Sequence, residues 1–159
     1  MGCQSSSNQE NSGSRWQRSM ENYEMRILEA AEVDTKDLTR TYTWIEMDGK
    51  PFGVRTHIYG SEKTNKKTLV LVHGYLSNSV GWLYMIKPLA EKYRLVLFDH
   101  GSWGLNSKLS ECSGLASSEA AEDWMREWIV KVLDAMELPE TFCLAGHSIG
   151  GWLAAQYAS

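Results

Sequence analysis

Six residues near the end of the chain, Gly146-His147-Ser148-Ile149-Gly150-Gly151, restrict how it can fold more than any other stretch. A G-x-S-x-G match arises by chance in a chain of this length with odds of about one in twenty, so the letters alone only suggest a site. Their setting is what constrains. A β-type apolar run at 141–145 precedes them and a helix-forming run, 152–159, follows, which is the strand-turn-helix context that forces a serine into strained backbone angles. Glycines on either side let strand and helix approach without clashing Cβ atoms, and the Ser148 hydroxyl is lifted free above a sheet.

The rest of the chain supplies that sheet. Residues 41–47 and 52–59 read as two extended segments joined at Asp48-Gly49, a hairpin turn signal because both residue types tolerate positive φ. A polar loop, 61–67, leads to Thr68-Leu69-Val70-Leu71-Val72, apolar on both faces as a central strand of a parallel sheet must be. His73-Gly74 ends it. Residues 80–92 carry Leu83, Ile86 and Leu89 or Ala90 at helical spacing, and Leu95-Val96-Leu97-Phe98 forms a second buried strand ending in Asp99. A Gly/Ser-rich loop, 100–118, precedes a long helix with the stripe Trp124, Met125, Trp128, Ile129, Val132, Leu133 and Met136, stopped at Pro139. The run 141–145 is then a third buried strand, 146–151 a turn and 152–159 the opening of another helix. This order predicts an α/β fold: a three-layer, mostly parallel sheet with helices on both faces. Ahead of it, Met20, Tyr23, Ile27 and Ala30 or Ala31 give one face of an amphipathic helix over 16–38, so the chain divides into a flexible tail (1–15), a helical segment (16–40) and the domain proper (41–159).

A serine hydroxyl is a weak nucleophile until a base takes its proton, and the resulting oxyanion needs two N–H donors already aimed at it. Ser148 is the candidate nucleophile. One donor is the backbone N–H of Ile149, the residue after it; the other lies on the loop after the first central strand, with Tyr75 N–H the candidate and Leu76 the alternative. Gly74 lets that loop turn.

Val70-Leu71-Val72-His73-Gly74-Tyr75 and Gly146 to Gly151 resemble the oxyanion strand and the nucleophile elbow of the α/β-hydrolase superfamily, from about Tyr42 to the last residue. Asp99-His100-Gly101-Ser102-Trp103-Gly104-Leu105-Asn106 is similar to its D-x-x-G-x-G-x-S loop, with Ser102 in place of a glycine and Asn106 in place of a serine. Within the superfamily the chain is most similar to the lysophospholipase and N-acyl-phospholipid lipase branch, which also holds the lipid-droplet lipase co-activator. The Glu29-Ala30-Ala31-Glu32 helix, the acidic run 119–128 and Gly150-Gly151-Trp152-Leu153-Ala154-Ala155-Gln156-Tyr157 carry that likeness. The co-activator has asparagine where this chain has Ser148, so the resemblance implies a catalytic member: a serine hydrolase of lipid esters or amides. Acyl transfer to lysophospholipids is the alternative within the branch, although no H-x-x-x-x-D motif follows His57, His73, His100 or His147. A non-catalytic, membrane-tethered interaction module is the alternative outside it.

In this fold the triad runs Ser, then Asp or Glu, then His. No acid or histidine follows Ser148, and the expectation is that no upstream histidine serves as base: His147 adjoins the serine across the tight turn, and His73 and His100 are strand-end residues. Asp99 reads as a loop-shaping residue. A further expectation is that the 159 residues are the front part of a longer hydrolase, truncated after the elbow and inactive by themselves, with the 141–145 strand left at a sheet edge.

Met1-Gly2-Cys3-Gln4-Ser5-Ser6 fits the pattern for myristoylation of Gly2, and Cys3 is placed for palmitate, the second signal that stable anchoring requires. The expected location is the cytosolic face of a membrane, with lipid or lysophospholipid as substrate; the alternative is a disordered leader that happens to begin Gly-Cys. A net charge of −4 gives no footprint for nucleic acid, and three scattered cysteines make neither a disulfide framework nor a zinc site. No cofactor is expected.

Overall fold

Asp48 and Gly49 take φ of 53° and 70°, the paired left-handed conformations with which a two-residue hairpin follows the twist of its strands. They join β1 (Leu38–Met47) to β2 (Lys50–Tyr59), in register from Leu38 opposite Tyr59 to Met47 opposite Lys50. The strands β3 (Lys67–Val72), β4 (Tyr93–Phe98) and β5 (Cys143–Gly146) complete a sheet of order β1-β2-β4-β3-β5 in the computed structural model, which describes residues 15–60, 66–101, 103–107 and 118–159. The tail with Gly2 and Cys3, the loop 61–65, Ser102 and most of the 100–118 loop lie outside the described residues. β3 runs parallel to β4 and to β5, and β2 pairs antiparallel with both of its neighbours.

Because side chains alternate across a strand, the apolar runs of β3 and β4 serve two cores at once. Leu69, Leu71, Leu95 and Leu97 face α1 (Arg15–Ala30) and α2 (Leu83–Ala90), where Leu28 and Ile86 meet them. Val70, Val72, Val96 and Phe98 face α3 (Ser118–Ala135) and α4 (Ile149–Ala158), packing on Trp128, Ile129, Val132 and Leu153. Each such side chain contributes about 1.5–3 kcal/mol on burial. The result is the expected three-layer sandwich, with its parallel half, β4-β3-β5, beneath the candidate site.

The structure departs from the sequence reading in several places. α1 stops at Ala30 rather than near residue 38: Glu32 turns left-handed (φ 55°), Val33 N–H returns to Leu28 O and Glu32 N–H to Glu29 O, both at 3.0 Å. This is a Schellman close, with Val33 and Leu28 in the same core, and Leu38 is already strand. The helix expected at 80–92 begins as a 3-10 turn, Ser79–Trp82, whose Val80 N–H donates to Asn78 Oδ1 at 3.0 Å, and becomes α-helical at Leu83. β5 is not buried on both faces. It lies at the sheet edge, as expected for 141–145, with Cys143 and Ala145 exposed, because no described element covers that side. Finally, α4 starts at Ile149, three residues before the expected helix, so the turn after β5 is tighter than 146–151.

Candidate active site

The turn after β5 is held by backbone bonds. His147 N–H donates to Val72 O (3.1 Å), carrying the β3–β5 ladder one residue further, and Gly150 N–H closes back to His147 O (2.9 Å). Gly151 and Trp152 N–H both donate to Ser148 O, at 2.9 and 3.3 Å, so helix follows turn without a spacer. Ser148 at the junction has φ 56° and ψ −124°, a conformation that costs a non-glycine residue about 1–3 kcal/mol and persists only where its surroundings impose it. They do so here by close approach. A Cβ on Gly146 would run into the Gly150 carbonyl, and one on Gly150 into the carbonyls of Val72 and His73, so the first turn of α4 sits against the end of β3 only because both residues are glycine.

This geometry exposes Ser148 at the N-terminus of α4, beside the Ile149 N–H and the positive end of the helix dipole. The loop after β3 lies alongside. A Cβ on Gly74 would stand 2.7 Å from His147 Nδ1, which makes the two turns van der Waals neighbours. Beyond Gly74, Tyr75 and Leu76 are 64% and 71% exposed, Leu76 in the left-handed region (φ 57°) and Tyr75 edge-on to Trp103 with ring centroids 5.2 Å apart. Among the described residues, no protein group accepts the N–H of either Tyr75 or Ile149.

The histidines divide sharply. His73 is buried and spoken for: the His100 N–H donates to its Nε2 (2.9 Å), which leaves the proton on Nδ1 to donate to Gly74 O (2.8 Å). Burial holds its pKa below the ordinary value. His100 stacks on it, centroids 4.0 Å apart, and is fully buried against Trp128; burial first, and the neighbouring imidazole second, push its pKa down to about 4. Neither ring is free to reach Ser148. His57 bonds a different serine, with Nδ1 2.8 Å from Ser79 Oγ and Nε2 3.6 Å from Glu24 Oε2. That array has the residue types of a catalytic triad, but Ser79 is 1% exposed and no substrate reaches it. His147 is the one exposed histidine of the four.

Asp99 is occupied as well: Oδ1 accepts the Ser79 N–H (2.7 Å) and Oδ2 the Leu105 N–H (3.0 Å). Asn106 ties the same loop, donating from Nδ2 to the carbonyls of Asp99 (2.6 Å) and Gly101 (2.7 Å) and accepting the Arg55 N–H at Oδ1 (2.6 Å). An amide, with donors and an acceptor, binds three groups there. The buried cluster Glu24, Arg55, His57 and Ser79 went unread in the sequence, because its members lie on α1, β2 and the turn after β3 and share no spacing. Among the described residues, no group of three or more His, Cys, Asp or Glu could hold a metal ion, and no helix is long and apolar enough to cross a membrane.

Comparison with known proteins adds the family. Residues 67–159 match the family described as alpha/beta hydrolase fold. A 1-acylglycerol-3-phosphate O-acyltransferase of Arabidopsis thaliana is 34% identical over 97 residues, covering 60% of this chain and 22% of its own length. The abhydrolase domain-containing protein abhd-5.2 of Caenorhabditis elegans is 37% identical over 93 residues, 58% of this chain and 20% of its own length. Among solved structures, a membrane phospholipase A described as a bacterial virulence factor superposes with a TM-score of 0.64 at 26% identity, covering 89% of this chain and 40% of that one. The chain thus spans about a third or less of the length of the curated relatives it matches. With the matched residues running from β3 through the elbow into α4, the chain belongs to the alpha/beta hydrolase fold family.

Proposed function

We propose that this chain carries the nucleophile and oxyanion hole of a serine hydrolase acting on lipid esters or amides, of lysophospholipase type. The observation that supports it most is the backbone of Ser148, strained at φ 56° and exposed at the mouth of α4. In this reading Ser148 Oγ attacks the substrate carbonyl, and its proton passes to a base. Charge gathers on the former carbonyl oxygen, where the N–H groups of Tyr75 and Ile149 stabilise it without reorganising. Collapse expels the alcohol or amine part of the substrate, for a lysophospholipid the deacylated glycerophospho-alcohol, which takes back the proton from the base; an acyl-serine remains, and water then hydrolyses it. The acid and base of the triad lie outside these 159 residues, a reading favoured by the engaged ring nitrogens of His57 and His73 and the burial of His100. Lipid as substrate class is supported by the names of the plant acyltransferase and the membrane phospholipase A. Anchoring is part of the proposal: acyl chains on Gly2 and Cys3 would hold the protein at the cytosolic membrane surface, beside such substrates.

Acyl transfer is the second reading, and the name of the plant relative favours it. The two differ only in whether water or a lysophospholipid hydroxyl takes the acyl group from Ser148. Incubation with a labelled lysophospholipid, with imidazole added as a diffusible base, separates them. Free fatty acid as the product supports hydrolysis, diacyl phospholipid supports transfer, and product formation that survives Ser148→Ala removes the serine from either.

A further inference from the structure

The proposed reaction leaves unused a buried polar cluster of Glu24, Arg55, His57 and Ser79. Glu24 points inward from α1 and is 5% exposed, with Oε2 3.6 Å from His57 Nε2 and 3.7 Å from Arg55 NH2. Arg55 supplies the countercharge, its other amino group 3.5 Å from Glu21 Oε1 and its guanidinium 5.4 Å above the Tyr42 ring. A carboxylate at Nε2 favours the proton on that nitrogen, which leaves His57 Nδ1 to accept from the Ser79 hydroxyl at 2.8 Å. The Ser79 N–H is bound in turn by Asp99 Oδ1 at 2.7 Å. Three elements, α1, β2 and the end of β4, converge on one buried serine.

Ser79 matters for where it stands. It opens the 3-10 turn that ends the loop begun at His73-Gly74, the loop on which Tyr75 and Leu76 stand exposed. At its first end the loop is fixed by the His73 ring on Gly74 O; within it, Ser77 N–H reaches Gly74 O at 3.3 Å. Its second end is fixed through Ser79.

We infer that Glu24 and His57 are positioning residues for the oxyanion loop: acting through the Ser79 hydroxyl, they clamp the far end of the segment that carries the Tyr75 N–H. α1 is thereby a working part of the site, although it lies outside the residues matched to the family. The clamp itself is a matter of loop order; only its naming of Tyr75 as oxyanion donor rests on the proposed function.

Hydrogen exchange read amide by amide on the 159-residue chain tests it with two variants. Ser79→Ala removes the hydroxyl and leaves α1 and its ion pairs in place; Glu24→Gln keeps the side-chain shape and removes the charge. Both are expected to speed exchange at residues 75–82 by about tenfold or more, with β1, β2 and α4 unchanged. Ser79→Ala is expected to leave α1 as protected as in the parent chain. Unchanged exchange at 75–82 in Ser79→Ala, or a Glu24→Gln effect confined to α1, overturns the inference. A second readout bears on chemistry: saturation kinetics of fluorophosphonate labelling at Ser148 with imidazole present. Both variants are expected to lower the maximal rate with half-saturation unchanged, whereas a merely structural role moves neither. If the parent chain itself is not labelled, the catalytic reading fails while the exchange result still decides the clamp.

Discussion

Ser148 illustrates how a single residue can be held where its own chemistry does not favour it. Its φ of 56° and ψ of −124° belong to glycine's territory, and the contacts of Gly146 and Gly150 with neighbouring carbonyls leave the turn no room to relax. Ser148→Gly therefore releases strain, less the extra chain entropy that glycine loses on folding. We expect it to stabilise the fold by about 1 kcal/mol, read as a higher urea midpoint at constant slope, while abolishing any reactivity at the site. The stacked pair His73 and His100 makes the opposite kind of statement. Both rings are kept neutral by burial, His100 with a pKa near 4, whereas in the unfolded chain each returns to about 6.5. Below that pH the unfolded state takes up protons that the native state refuses. For His100, stability present at pH 7.5 therefore declines as pH falls from about 6.5 towards 4, by up to about 1.4 kcal/mol per pH unit, and His73 adds to the decline in the same direction. His100→Phe keeps a ring on His73 and removes one titration, so urea unfolding between pH 7.5 and 5 should show a shallower decline; an unchanged slope would mean that the other ring carries the effect.

Among elements, those with strong local chemistry were legible in the sequence and those set by tertiary contact were not. Asp48-Gly49 announced its hairpin because both φ values had to be positive, and the two-sided apolar runs of β3 and β4 announced strands between two layers. The end of α1 was hidden because glutamate, not glycine, occupies the left-handed position that closes it. Glu32→Gly should consequently raise the thermal midpoint, by an amount equivalent to about 0.5–1 kcal/mol, with helix content unchanged. A lower midpoint would show that the Glu32 carboxylate, 3.2 Å from Lys87 Nζ, matters more than its backbone. β5 lies exposed at the sheet edge, as expected, although its apolar run by itself reads as a buried strand. Its composition, Cys-Leu-Ala-Gly, is apolar throughout, but whether both faces are covered depends on what packs beside it, and Cys143 and Ala145 face no described neighbour.

For the molecule as a whole, the sheet brings together what the sequence scatters. His73-Gly74 and Gly146 to Gly151 lie more than seventy positions apart, yet Val72 pairs with Gly146, which sets the β3 loop beside the elbow. That much of the site was readable, since both motifs end apolar strands. The clamp of Glu24, His57 and Ser79 was not, because no local pattern links a helix, a strand and a turn whose partnership exists only after folding. Three of the chain's histidines are buried, two of them held by bonds elsewhere, and the fourth, His147, is exposed with its ring against the Gly74 turn; on the proposed function, Ser148 is a nucleophile that lacks its base among these residues. The most direct test is mass-spectrometric mapping of fluorophosphonate adducts on the 159-residue chain as imidazole is titrated in. One adduct is expected, on Ser148, scarce without imidazole, rising with it, and lost in Ser148→Ala. No adduct on Ser148 at any imidazole concentration would contradict the nucleophile, and a fast adduct independent of imidazole would show that the chain already holds its base.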